Sequence, residues 1–147
     1  LDTILLAPQG RVDQNTDHFS AALDSMLDSG HIDRDELALF REFLSTATDD
    51  YVQKFEPDRA ARHFRISQDI LGKDGTDVRI EPLPERKESR IIVSVNDCPA
   101  GGYLYQLARI VGRAGLFIRR GYADTFGPDG RDLGIISFYV SLDGREL

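Results

Sequence analysis

One stretch of the sequence combines an amide, a carboxyl, a thiol and two glycines: Asn96, Asp97, Cys98, Pro99, Ala100, Gly101 and Gly102. A helix predicted to begin at Gly102 would present backbone N–H groups without intrahelical partners, which favour an anion such as a carboxylate. The glycines would let a ligand approach the backbone closely, and Asp97 or Asn96 could receive its ammonium group. The pattern therefore predicts either an amino-acid site or a plain strand-to-helix turn capped by Asp97.

Other chemistry is poorly matched by the residues present. The glycine pair lacks the third glycine of a dinucleotide-binding loop, and no Lys-Ser/Thr follows it as in a phosphate-binding loop. Cys98 lies near a helix start, where the pKa of a thiol can fall, but it has no histidine nearby in sequence to act as a base. The three histidines lack metal-ligand spacing and are interpreted as surface or packing residues: His18, His31 and His63. We therefore predict no catalytic residue, no metal site and no cofactor site in this chain.

Charge is unevenly distributed along the 147 residues, and the net value is −7. Residues 1–75 hold 15 acidic against 8 basic side chains, whereas residues 76–147 hold 10 of each. Because nucleic-acid affinity rests largely on phosphate neutralisation, an acidic chain without a basic stripe is a poor partner for nucleic acid or an anionic membrane surface.

The cellular setting is predicted from two simple features. The single cysteine cannot form an internal disulfide, which favours a reducing, cytoplasmic compartment. No stretch approaches the roughly 20 apolar residues that span a bilayer. The chain begins at Leu1 without a methionine and ends just past a strand-like run, so we interpret it as a piece of a larger protein.

The first half, residues 1–72, is predicted to be a helical segment. One helix begins at Asp17 or Thr16 and ends near Gly30. Asp33 and Glu36 form the pattern of a capping box, and an apolar stripe then continues to Phe55 as one long helix, with a kink expected at residues 45–48. A third helix is predicted over residues 57–71, with a weak apolar face.

The second half, residues 73–147, reads as strand, helix, strand, strand after a short edge strand. The edge strand is expected at residues 78–80 and a charged linker at residues 85–89. The main elements follow in order: a central strand at 91–96, a helix at about 102–114, and strands at 116–126 and 133–142. We expect an α+β fold in which a ferredoxin-like β-α-β-β unit forms an antiparallel sheet. Either the edge strand completes four strands, or a strand beyond Leu147 does so. In the first case the acidic helices would cover the remaining face.

The residues from Ile92 to Leu104 resemble the opening of an ACT domain. That family has an apolar strand, then Asp-x-Pro-Gly, then a hydrophobic residue that opens a helix; here Asp97, Pro99 and Gly101 match, and Ala100 is an insertion. Leu107, Val111 and the run from Gly115 continue the pattern, so the resemblance covers about residues 90–142.

The resemblance implies a regulatory rather than a catalytic role. ACT domains bind an amino acid or another small effector at the strand–helix loop, usually across a dimer interface, which here implies residues 96–102 and a homo-oligomer. The acidic helical segment followed by an ACT-like unit is most similar to the N-terminal regulatory region of a large NAD-dependent glutamate dehydrogenase. The implied partners are the catalytic domains of that parent chain, which would hold the NAD.

Two further features leave alternatives open. Arg119 and Arg120 are adjacent in a strand, so one of them should turn inward or lie at a bulge. They are either a surface pair bonded to acidic neighbours of the helical half or a contact for an acidic effector or another domain. A stripe on the predicted helix, formed by Tyr103, Gln106 and Ile110, suits instead a purely structural dimerisation or interdomain module without a ligand.

Overall fold

A computed structural model describes residues 11–70, 76–96, 103–127, 133–142, 144–145 and 147. Within these ranges it has five α-helices and four β-strands. In chain order the elements are α1 (Asp17–Asp28), α2 (Leu37–Ser45), α3 (Asp49–Gln53), α4 (Pro57–Ile70), β1 (Thr76–Leu83), β2 (Glu88–Asn96), α5 (Tyr103–Arg113), β3 (Phe117–Phe126) and β4 (Leu133–Ser141). Short 3-10 turns at Arg34–Glu36 and Pro84–Arg86 precede α2 and β2. The predicted α+β fold is confirmed.

The predicted long helix after Asp33 is wrong in one respect, because it is two helices. The capping box forms as expected: the Asp33 side chain accepts from the backbone of Glu36, and the Glu36 side chain accepts from the backbone of Asp33. The chain then leaves the helix after Ser45, and the Thr48 hydroxyl accepts from the Tyr51 backbone N–H at 3.2 Å to start α3. Threonine stabilises a helix start better than a helix interior, so a cap replaces the expected kink.

The apolar face of α4 is stronger than the sequence indicates. Ala60, Phe64, Ile66 and Ile70 are all buried, and His63 lies among them at 3% exposure. The expected weak apolar face is therefore wrong, because five residues of α4 are buried and one of them is a histidine. Of the two roles predicted for His63, packing or surface, the structure confirms packing.

The four strands form one antiparallel sheet in the order β1-β2-β4-β3. This is the predicted arrangement, in which the edge strand closes the sheet beside β2. Two details differ from the prediction. β1 continues through Pro82, which an edge strand tolerates because its N–H need not join a ladder. Glu88 and Ser89 are buried at the start of β2 and do not belong to a charged linker.

Helices cover both faces of the sheet. On one face, here called the α5 face, Ala108 packs with Ile91, Val93, Ile136 and Phe138. On the other, the helical face, α1–α4 form a larger core that includes four residues of the sheet: Ile92, Phe126, Leu133 and Ile135. Because successive residues of a strand point to opposite sides, β2 and β4 are apolar on both faces, as expected for central strands. The expectation that the helical segment covers the second face is confirmed.

A β-bulge interrupts β3 at Arg119. Ile118 lies opposite Val140 and Arg120 lies opposite Tyr139, so Arg119 is the extra residue. The bulge shifts the alternation by one and turns Arg120 toward the helical face. The prediction that one member of the arginine pair turns inward or lies at a bulge is confirmed.

Candidate functional site

The predicted effector site begins at the end of β2, where Asn96 is half-buried. Its side-chain amide nitrogen donates to the backbone carbonyl of Ile70 at 2.9 Å, at the end of α4. Asn96 therefore ties the start of the predicted loop to the helical segment. The other predicted ligand-binding residues, Asp97, Cys98, Pro99, Ala100, Gly101 and Gly102, lie outside the described residues.

The elements on either side of these residues are well placed to hold a site. β2 lies between β1 and β4, and Ile92, Val93 and Val95 are buried, so the strand is fixed on both faces. α5 begins at Tyr103 and packs on the sheet through Ala108, with Leu107 and Val111 partly buried beside it. Residues 97–102 therefore connect a central strand to the first turn of a packed helix, where backbone N–H groups lack intrahelical partners.

The histidines are each held by a neighbour. Nε2 of His18 lies 2.9 Å from Asp49, and Nε2 of His31 lies 2.6 Å from Asp58. His63 is buried and bonded to Tyr51. Within the part of the chain that the structure describes, no three His, Cys, Asp or Glu side chains are grouped so that they could hold a metal ion.

A buried polar network, not foreseen from the sequence, joins α3 and α4 to β3. The Tyr51 hydroxyl lies 2.8 Å from Nδ1 of His63, and Nε2 of His63 lies 3.9 Å from Asp124. Arg59 donates to Asp124 at 2.5 Å and stacks over the Tyr51 ring at 5.0 Å. Because the Asp124 carboxylate faces Nε2, the proton of neutral His63 belongs on Nε2, and Nδ1 accepts from Tyr51.

Burial sets the protonation states in this network. Desolvation, followed by the charges of Arg59 and Arg62, lowers the pKa of His63 to about 3. Desolvation, followed by the charge of Asp124, raises the pKa of Tyr51 above its usual range. Both groups are therefore neutral at pH 7, and their hydrogen bond ties α3 to α4 beneath the sheet.

A second polar group lies on the helical face of the sheet, beyond the apolar core. Glu81, Arg90, Tyr139 and Arg120 lie directly opposite one another across β1, β2, β4 and β3. Arg90 donates to Glu81 through Nε at 3.0 Å and Nη2 at 2.6 Å, and its Nη1 lies 3.4 Å from the Tyr139 hydroxyl. The Arg120 guanidinium stacks 4.1 Å from the centre of the Tyr139 ring.

Arg62 approaches this row from α4. It lies one turn beyond Arg59 on the same side of the helix, and its electrostatic neighbours in the sheet are Arg90, Tyr139 and Glu81. Partial burial, then the positive charge of Arg90, lowers the pKa of Arg62. Arg62 makes no hydrogen bond or ion pair with any residue that the structure describes.

The arginine pair at the bulge binds a carboxylate of the sheet. Arg120 donates to Glu88 at 2.8 Å, Nε of Arg119 lies 3.8 Å from Glu88, and Arg86 lies 3.9 Å from it. The Glu88 side chain is only 3% exposed. The interpretation that this pair bonds to acidic residues of the helical half is therefore wrong, because Glu88 belongs to β2.

Sequence reasoning missed the row because its members are far apart in the chain. One signal was present: Arg90 and Tyr139 are polar residues within apolar strands, and such positions demand a partner. The register that places these two residues opposite each other can be assigned only once the strand order is known.

Comparisons with known proteins leave the family of the chain open. No protein-family model matches it, and no curated protein is significantly similar to it. None of the helices in the described ranges is long and apolar enough to cross a lipid bilayer.

Proposed function

We propose that this chain is a non-catalytic regulatory part of a larger cytoplasmic metabolic enzyme, and that residues 96–102 bind an amino acid or a similar small effector. The observation that carries the proposal is the placement of these residues between a buried central strand and the first turn of α5. The order of elements along the chain supports it, because β2, α5, β3 and β4 follow one another as the resemblance to an ACT domain implies. On that resemblance the parent is an NAD-dependent glutamate dehydrogenase.

The proposed mechanism is a shift between two arrangements of the parent chain. An effector carboxylate would accept from the N–H groups at the start of α5, and its ammonium would face Asp97. Because Asn96 is bonded to the end of α4, an effector that moves this loop also moves the helical segment. A ligand changes such an equilibrium only by its difference in affinity for the two arrangements.

A thermal-shift screen tests the proposal directly. The chain is heated with each of the twenty amino acids, with 2-oxoglutarate and with adenine nucleotides, since a ligand of the folded state raises the melting temperature by mass action. We expect one amino acid to raise it, and the rise to be lost in Gly101→Val because a side chain there blocks approach to the backbone. Gly112→Ala, a glycine substitution at an exposed position of α5 with open space around it, is the control that should keep the response.

Two outcomes of the screen would contradict the proposal. If Gly101→Val keeps the full response, the effector binds elsewhere. If no compound raises the melting temperature of the chain or of the full-length parent, the chain is not a sensor.

A structural role is the second candidate, and exposed apolar side chains favour it. Ile110 is 62% exposed on α5, and Val78 and Ile80 are 56% and 57% exposed on the edge strand β1. Such residues suit a side-by-side homodimer or an interdomain contact. Sedimentation across a concentration series, read together with the thermal-shift screen, distinguishes the candidates. A structural module self-associates but responds to no amino acid, and Ile110→Asp together with Ile80→Asp makes it monomeric.

A further inference from the structure

Three arginine side chains lie around one tyrosine of the sheet. Arg62, Arg90 and Arg120, together with Tyr139, are here called the Tyr139 cluster. Arg90 and Arg120 lie on either side of Tyr139 in neighbouring strands, and Arg62, on α4, is an electrostatic neighbour of Arg90 and Tyr139. Three guanidinium groups, from two strands and a helix, therefore lie near Tyr139 on the helical face.

The charges inside the cluster do not cancel. Glu81 accepts from Arg90 and Glu88 accepts from Arg120, so each of these carboxylates already has an arginine. Arg62 is left with no hydrogen-bonded or ion-paired partner among the described residues, although it is half-buried beside Arg90. Partial burial of a charge next to a like charge raises the free energy of the folded state, so its presence calls for a compensating anion.

We propose that the Tyr139 cluster is a binding site for an oxyanion, namely the phosphate or carboxylate group of a small molecule. The site lies on the helical face, and the proposal does not depend on the amino-acid site at residues 96–102. Nothing in it requires the resemblance to an ACT domain.

The available hydrogen-bond donors fit this chemistry. All the N–H groups of Arg62 lack protein acceptors in the described residues, and Arg120 uses only Nη2 for Glu88. A guanidinium presents its donors in a planar fork that matches two oxygens of a carboxylate or phosphate. Arg90 is held in place by Glu81, so it supplies fixed positive charge beside the Tyr139 hydroxyl.

The surroundings favour a small anion over a polyanion. Glu81 and Glu88 lie at the edges of the cluster, and the helical half of the chain is strongly acidic. An extended polyanion would have to pass these charges, whereas a single phosphate or carboxylate contacts only the arginines. Solvent can reach the site, because Arg120 is 37% and Tyr122, which packs edge-on against Tyr139, is 46% exposed.

The test compares sodium phosphate and sodium acetate with sodium chloride at equal ionic strength, so that general screening is the same in each. Binding is followed by the melting temperature and by calorimetric titration of the chain. We expect phosphate, acetate or both to stabilise the chain beyond chloride. Phosphate also stabilises proteins in general because it is excluded from their surface, so only the part of a response that depends on Arg62 reports binding. A phosphate response that Arg62→Gln weakens identifies a phosphate group as the ligand, and an acetate response weakened in the same way identifies a carboxylate.

Arg62→Gln is the decisive variant, and Arg41→Gln is its control. Arg41 is exposed on α2, so its replacement removes the same charge away from the cluster. A hydrogen bond to a charged group is strong enough that losing Arg62 should weaken anion binding by about tenfold or more. Arg41→Gln should bind as the wild type does, and Gly101→Val should also keep the anion response, which separates this site from the effector loop.

A second readout distinguishes a binding role from a structural one. In sodium chloride, without phosphate or acetate, Arg62→Gln should be at least as stable as the wild type, because the variant relieves repulsion from Arg90. In the wild type, NMR signals of the Arg62 and Arg120 side-chain N–H groups should shift on titration with the anion. The proposal is overturned if neither salt stabilises the wild type beyond chloride, if these signals stay unchanged, or if Arg62→Gln binds the anion as tightly as Arg41→Gln.

Discussion

Burial of His63 predicts a specific loss of stability in mild acid. The ring is 3% exposed and its pKa falls to about 3, against 6.5 for an ordinary histidine. In the unfolded chain the same residue takes up a proton below about pH 6.5, whereas in the folded protein it remains neutral. Because the unfolded state then binds more protons than the folded state, the free energy of unfolding falls as the pH falls.

The size of the effect follows from the two pKa values. The stabilisation is complete above pH 6.5 and is lost progressively between about pH 6.5 and pH 3. Between pH 7 and pH 5, His63 alone should lower the free energy of unfolding by about 2 kcal/mol. This is a large fraction of the 5–15 kcal/mol, roughly, that a domain of this size has available.

Urea unfolding at pH 7 and pH 5 measures the effect, and His63→Gln isolates it. Glutamine does not titrate, and its amide oxygen can accept from the Tyr51 hydroxyl in place of Nδ1. The variant is expected to start from a lower stability but to lose about 2 kcal/mol less than the wild type between the two pH values. His18 and His31 are unchanged in both proteins, so their contributions cancel in this comparison.

An equal loss in the wild type and in His63→Gln would refute the reasoning. An NMR titration of the wild-type protein tests the same point, because the signals of the His63 ring should stay constant between pH 7 and pH 5. If the ring titrates with a midpoint near pH 6, the buried neutral state inferred from the Tyr51 and Asp124 contacts is incorrect.

Three other predictions concern the core, the buried carboxylate and the glycines near the end of α5. Phe40→Ala should lower the free energy of unfolding by about 3–5 kcal/mol, since the ring is fully buried among other aromatic rings, and urea unfolding measures it. Glu88→Gln should cost about 1–3 kcal/mol in the same assay, because Arg120 loses a charged acceptor; an unchanged midpoint would contradict the ion pair. Gly112→Ala, inside α5 with open space around it, should stabilise by about 0.5–1 kcal/mol. Gly115→Ala should instead destabilise by about 1 kcal/mol, because φ is +85° there; thermal unfolding compares the pair, and effects of the same sign would contradict this assignment.

Local patterns in the sequence predict most of the elements. The capping box at Asp33 and the proline at the start of α4 mark helix starts that the structure confirms. The place of β1 beside β2 was one of two arrangements that the sequence allowed, and the structure has this one. The place of the break before α3 was expected as a kink at residues 45–48, but only the hydrogen bond from Tyr51 to Thr48 shows that a new helix starts there.

Polar groups that meet across the fold are harder to predict. Arg62, Arg90, Arg120 and Tyr139 each look like ordinary amphipathic positions within their own elements. Their convergence depends on the register of β2 against β4, on the bulge that turns Arg120 inward, and on the rotation of α4. A bulge moves every following side chain to the opposite face, so an error of one residue at Arg119 would remove Arg120 from the cluster.

The two proposed sites share β2, and this arrangement has a consequence for regulation. Asn96 ends the strand beside the predicted effector loop, and Arg90 lies six residues earlier within the Tyr139 cluster. α4 is linked to both sites, since the Ile70 carbonyl accepts from Asn96 and Arg62 is an electrostatic neighbour of Arg90.

If an effector at the loop shifts α4 along the sheet, it changes the distance between Arg62 and Arg90 and therefore the affinity for an anion. Linkage then requires the anion to change the affinity for the effector by the same factor, which calorimetric titration of each ligand in the presence of the other measures. Equal affinities with and without the second ligand would show that α4 does not couple the two faces.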